Sequence, residues 1–77
     1  MTGKPKPKPS FLDEQDYYGV REGRKVWRSL DGLRFFTWDS LHGEMEAFNT
    51  RGKHIASLDA VTGKPIKGPV LDRRLKL

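Results

Sequence analysis

A mainly β protein of the α+β class, one small twisted antiparallel sheet preceded by a short N-terminal helix, is the fold this sequence predicts, and three observations predict it. Short runs of aromatic and β-branched residues recur from Lys25 onward, separated by turns that contain glycine. A helix-capping pattern at Ser10 stands before them. With 77 residues and an apolar content of 35%, the chain has room for one domain and a modest core. There is no cysteine, so neither a disulfide framework nor a thiolate metal site can supplement that core.

Residues 1–9, Met-Thr-Gly-Lys-Pro-Lys-Pro-Lys-Pro, read as a basic linker of a longer polypeptide. Alternating Lys and Pro forbids a helix, supplies no apolar face and favours extended polyproline II. The folded domain is expected over 10–77. Ser10 resembles an N-cap, Asp13 stands at the capping-box spacing, and Glu14 and Asp16 place negative charge in the first turns, which predicts a helix from about Phe11 to Tyr18 stopped by Gly19. Strands follow at Lys25 to Ser29 and Leu33 to Asp39 around Asp31-Gly32, a strong hairpin signal. A third is expected from Glu44 to Asn49, turned at Arg51-Gly52 into a fourth from Lys53 to Leu58. Thr62-Gly63-Lys64-Pro65 and Gly68-Pro69 mark further breaks before a basic end, giving a meander of four or five strands.

Fifteen Lys and Arg against ten Asp and Glu give a net charge of +5, which favours a polyanionic partner through counterion release. No apolar run approaches the roughly 18 residues of a membrane span. Aromatics interleaved with basic residues (Lys25, Trp27, Arg28, Arg34, Phe35, Phe36) suit base stacking, although a domain this small needs most of them in its core.

Against this basic background, Trp38-Asp39-Ser40-Leu41-His42-Gly43-Glu44-Met45-Glu46 sets one of two histidines among three carboxylates. Imidazole and carboxyl groups can divide proton donation and acceptance near neutral pH. In strand geometry His42, Glu44 and Glu46 share a face, yet His42 and Glu46 would stand about 13 Å apart at roughly 3.3 Å per residue. Gly43 permits a turn that curls His42 back toward Glu46 and Asp39. His54 reads as a strand residue with a secondary part at most, and two histidines without a third ligand make a weak zinc site. No phosphate-cradling loop, nucleophile elbow or dinucleotide fingerprint occurs.

A protein nucleophile is unnecessary where the substrate carries its own, as RNA does in its 2′-hydroxyl. Such a cleavage needs a base, an acid and positive charge on the phosphorane-like transition state. Glu46 or His42 can be the base and the other the acid, Asp39 can orient the imidazole, and Arg73 or Arg74 can hold the phosphate bidentately. Lys53, Lys64, Lys67, Arg74 and Lys76 are the candidates for further contact with RNA.

From Trp27 onward the chain resembles the cytotoxic ribonuclease domain of cloacin and of the E-group colicins that cut small-subunit ribosomal RNA. The resemblance rests on Trp-Asp-Ser-x-His-Gly-Glu-x-Glu at Trp38 to Glu46, Gly-x-His at Gly52 to His54, Ser-x-Asp at Ser57 to Asp59, Thr62-Gly63, Lys-Gly-Pro at Lys67 to Pro69, and the basic end. It implies a small, highly twisted antiparallel sheet and a cofactor-free, metal-independent endonucleolytic cut in the decoding centre of 16S ribosomal RNA in the 70S ribosome. It places the family's catalytic residues on Asp39, His42, Glu46 and Arg73, with a second carboxylate at Glu44. It also implies an acidic immunity protein as partner, and a larger secreted toxin that delivers the domain to the target-cell cytoplasm. Val70-Leu71-Asp72 is less basic than the family pattern, and residues 1–26 lie outside the resemblance. Two other readings of the same features are a non-catalytic RNA-binding or ribosome-docking module and an interaction domain for an acidic protein.

Overall fold

Six antiparallel strands form a single sheet in sequence order, so every connection is a hairpin. They are β1 (Asp16–Arg21), β2 (Arg24–Arg28), β3 (Arg34–Asp39), β4 (Glu44–Asn49), β5 (His54–Leu58) and β6 (Pro65–Lys67). The computed structural model describes residue 3 and residues 8–77; most of the expected 1–9 linker lies outside the described residues.

The N-terminal helix expected from Phe11 to Tyr18 does not form. A 3₁₀ turn, Phe11–Glu14, takes its place, and the next residues become β1. The capping signal is real, since the Asp13 carboxylate accepts the Ser10 amide at 2.8 Å. It is overridden because Tyr17 and Tyr18 gain more from the sheet: Tyr17 meets Trp27 edge to face, and Tyr18 meets Phe35. Gly19, expected as a helix stop, instead follows the bulge where the β1–β2 register shifts, at φ +132°. The hairpin at Asp31-Gly32 forms as a longer loop than the dipeptide suggests. Ser29 donates its amide to the Arg34 carbonyl, and Asp31 accepts from Ser29 Oγ and the Leu33 amide.

Alternation along the strands sorts the side chains onto two faces. Trp27, Phe36, Met45, Ala47 and Leu58 share the first, where the 3₁₀ turn inserts Leu12. Val26, Phe35 and Phe48 lie on the second, and there the C-terminal segment inserts Leu75. Each face is thus closed by one end of the chain, and each fully buried Phe or Met contributes about 1.5–3 kcal/mol.

The C-terminal segment is seated by backbone as well as by Leu75. The Leu75 amide donates to the Gly52 carbonyl at 2.7 Å, the His54 amide to the Arg73 carbonyl at 3.2 Å, and Lys53 and Arg74 form a bridge. Gly52 is required twice over: its φ is +80°, and a Cβ there would overlap the Leu75 carbonyl. Gly52→Ala is therefore expected to cost at least about 2 kcal/mol in chemical denaturation and to loosen residues 70–77 in hydrogen exchange. Gly23→Ala, also at positive φ but in open space, should cost less.

Candidate active site

Beyond the Val26, Phe35 and Phe48 cluster, the second face turns polar. Strand register puts Thr37 opposite Glu46, Glu46 opposite Ser57, Asp39 opposite Glu44 and Ser57 opposite Lys67. Paired residues project to the same side, so Thr37, Asp39, Glu44, Glu46, Ser57 and Lys67 make one polar surface.

At its rim the β3–β4 turn brings His42 back to Asp39. The Gly43 amide donates to the Asp39 carbonyl at 2.8 Å, with Gly43 at φ +69°. Asp39 Oδ1 accepts the amides of Leu41 and His42 at 3.0 and 3.2 Å, and Oδ2 lies 2.7 Å from His42 Nδ1. Burial alone would raise the Asp39 pKa, but the His42 ring and the two amides outweigh it and hold the carboxyl below its usual range. An ionised Asp39 accepts a hydrogen bond from Nδ1–H, so Nε2 of the half-exposed imidazole is left as the nitrogen without that proton.

Glu46 is the buried member, its side chain only 4% exposed. Ser57 Oγ donates to its Oε2 at 2.7 Å, while Arg73 Nη1 contacts Oε1 and His54 Nε2 stands 3.3 Å from that same oxygen. The seating of Leu75 and Arg74 points Arg73, rather than its neighbour, at this carboxylate. Strict alternation would send His54 to the opposite face from Ser57. A bulge between the Ala47 and Phe48 pairings reverses it, so His54 pairs with Phe48 and joins Glu46.

The Val70 amide donates to His54 Nδ1 at 2.9 Å, which fixes that nitrogen as acceptor and puts the ring proton on Nε2, facing Glu46. Burial holds the His54 pKa below its usual 6.5. A depressed pKa means that the unfolded chain takes up this proton first. The contribution of His54 to stability is therefore complete above about pH 6.5 and lost as pH falls below that value. The Tm is expected to fall between pH 7.5 and pH 5, and to fall less in His54→Gln. Asp39 acts with the same sign in a lower window, below its usual 3.8.

The remaining candidates divide. Lys67 Nζ lies 3.2 Å from Glu44 Oε1, at the edge of the polar surface. Arg74 and Lys76 instead line a separate cleft of about 390 Å³ with Arg51 and Glu22, where Glu22 accepts the Lys76 amide at 3.0 Å. Lys53 bridges to Arg74, and Lys64 sits in the β5–β6 turn, exposed. Two members were not assigned a part from sequence, Ser57 and Thr37. A signal for Ser57 exists, since Glu46 and Ser57 are equidistant from the Arg51-Gly52 turn and so pair across it. The approach of Thr37 to Glu46 follows only from the β3–β4 register.

A six-stranded antiparallel sheet thus carries an imidazole–carboxylate pair and a glutamate held by a guanidinium. The chain belongs to the Cytotoxic family, whose profile matches residues 15–76. It is 41% identical to colicin E3 of Escherichia coli over 54 residues, which are 69% of this chain and 10% of that protein. Over the same extent it is 37% identical to colicin E6 and 37% identical to cloacin, both of Escherichia coli. The chain spans about a tenth of the length of these relatives.

Proposed function

We propose that this domain is a metal-independent endoribonuclease that cuts 16S ribosomal RNA in the decoding centre of the 70S ribosome and so stops translation. The observation that carries this reading is that Asp39, which holds His42, and Glu46, which holds Arg73, stand on one face of a protein charged for RNA.

In the reaction the substrate's 2′-oxygen attacks the adjacent phosphorus as a base takes its proton. The P–O5′ bond breaks as an acid protonates the leaving oxygen, yielding a 2′,3′-cyclic phosphate and a 5′-hydroxyl. Glu46 as base and His42 as acid is the preferred division, by family analogy. His42 is already oriented through Nδ1, with Nε2 toward solvent. Glu46 is covered by Arg73, whose side chain is 39% exposed and within reach of a ligand. Movement of Arg73 from Oε1 to the scissile phosphate would uncover the carboxylate and bring positive charge to the transition state in one event. Lys67 beside Glu44 is a further cation for the same phosphate.

The same burial of Glu46 favours a second reading, in which the carboxylate only pins the C-terminal segment and the face docks RNA without cutting it. Intact 70S ribosomes incubated in EDTA with the wild-type domain separate the two. One discrete short 3′ fragment of 16S RNA is expected from the ribonuclease; ribosome binding without any fragment would replace it by the docking module.

The domain is further proposed to act as part of a larger secreted toxin that reaches the target-cell cytoplasm. Its charge of +5 suits an acidic immunity protein in the producing cell.

A further inference from the structure

Thr37 in β3 is 1% exposed, and its Oγ1 is buried with no hydrogen-bond partner among the described residues. We propose that Thr37 is a positioning residue for Glu46, whose hydroxyl takes hold of Oε1 when Arg73 leaves that oxygen for the scissile phosphate. This proposal rests on the ribonuclease reading, which supplies both the base and the phosphate.

Register sets what surrounds the hydroxyl. Across the ladders Thr37 faces Val26 on β2 and Glu46 on β4, and along its own strand the neighbours on the same face are Phe35 and Asp39. Val26 and Phe35 offer no side-chain acceptor. The Asp39 carboxylate is already engaged by the Leu41 and His42 amides and by the His42 ring. Directly opposed residues of an antiparallel pair bring their Cβ atoms to about 4.5–5.5 Å, so Glu46 is the acceptor within reach. Its two oxygens are held unequally. Ser57 Oγ donates to Oε2 at 2.7 Å, whereas Oε1 has the Arg73 guanidinium against it and His54 Nε2 at 3.3 Å, off line for a hydrogen bond. Once Arg73 moves, Oε1 is left with that misaligned ring alone on the β5 side. Thr37 stands on the β3 side, with a hydroxyl hydrogen free to turn.

Valine has the same branched shape and as good a strand preference. Where packing is the whole role it serves better than threonine, because a buried unpaired hydroxyl gives up its hydrogen bonds to water and gains none within the fold. The unpaired Oγ1 thus weakens the resting protein, and the offsetting gain comes in the state in which Glu46 has lost its cation. A donor on Oε1 favours the ionised carboxylate and fixes its direction, both of which a general base requires. The charged and titratable groups that face Glu46 are Arg73 from the C-terminal segment and His54 from β5, with Asp39, Glu44 and Lys67 around it on the same surface. A substitution at Thr37 alters none of their charges.

The test compares the full chain with Thr37→Val and Thr37→Ser in cleavage of intact 70S ribosomes in EDTA, between about pH 5 and pH 9. In Thr37→Val the acid limb of the pH–rate profile should move up by about one unit and the saturating rate fall roughly tenfold. The ribosome concentration giving half that rate should stay the same, and Tm should be unchanged or higher. Thr37→Ser, which keeps the hydroxyl, should restore the limb and most of the rate. A Thr37→Val variant with wild-type limb and rate would overturn the proposal while leaving the ribonuclease reading intact. A loss of rate accompanied by a lower Tm and not recovered in Thr37→Ser would overturn it too, as the mark of a packing role. The contact is also read without cleavage, from the Glu46 carboxyl carbon by ¹³C NMR in Arg73→Ala. Its titration midpoint should rise by about one unit when Thr37→Val is added, and no rise would overturn the proposal. Failure of the ribonuclease reading shows separately, as absence of any 16S fragment with the unmutated domain.

Discussion

Replacing His42 by alanine is expected to lower 16S cleavage by roughly 10²–10⁴-fold while changing unfolding free energy by less than about 1 kcal/mol. The imidazole is 52% exposed and its side-chain partner among the described residues is Asp39, so its removal leaves no cavity and no buried orphan. Asp39 still accepts the two loop amides, which keeps the turn. Asp39→Asn should separate orientation from presence. The turn persists, because the amide oxygen can take the place of Oδ1, but the anion that accepts the Nδ1–H hydrogen bond is gone, and cutting should fall about 10²-fold or more. Fragment yield from 70S ribosomes and chemical denaturation read the two quantities independently. Cleavage retained in His42→Ala within threefold would remove the imidazole from the mechanism.

The second large effect joins chemistry to stability. Arg73→Ala should cost cutting about 10²–10³-fold through loss of the phosphate clamp. It should also cost about 2–3 kcal/mol, between the values for surface and buried ion pairs, because Glu46 is then a buried carboxylate facing Ser57 and a neutral His54 without a cation. Glu46→Gln should be as inactive, since an amide cannot act as the base. In the double variant Glu46→Gln/Arg73→Ala the buried charge and its partner leave together. Stability should therefore recover above that of Arg73→Ala alone while activity stays lost. Additive losses of stability in the double variant would show that the two side chains do not depend on each other in the fold.

Much of the sheet was legible because its determinants are local. The β-rich runs at 34–39 and 44–49 and the turn at Arg51-Gly52 formed where the residues place them, with the ladder between β3 and β4 unbroken. The helix at Phe11 to Tyr18 was misread because capping is a local signal, whereas the partners of Tyr17 and Tyr18 come from β2 and β3. The turn that returns His42 to Asp39 was legible from Gly43, a residue free to take positive φ. The place of His54 was not, since a bulge one residue away inverted the face that alternation assigns to it.

By itself, then, the sequence determined a cysteine-free, basic, mainly β chain with an imidazole among carboxylates, because composition, turn chemistry and period-two patterning act over a few residues. Only the tertiary structure decided which arginine reaches Glu46. That choice is made by Leu75, which anchors the chain end in the Val26, Phe35 and Phe48 cluster, and by Gly52, which lets the backbone approach closely enough to hold it. Both contacts join residues far apart in sequence, and their geometry follows from the twist and bulges of the whole sheet, which no short stretch encodes.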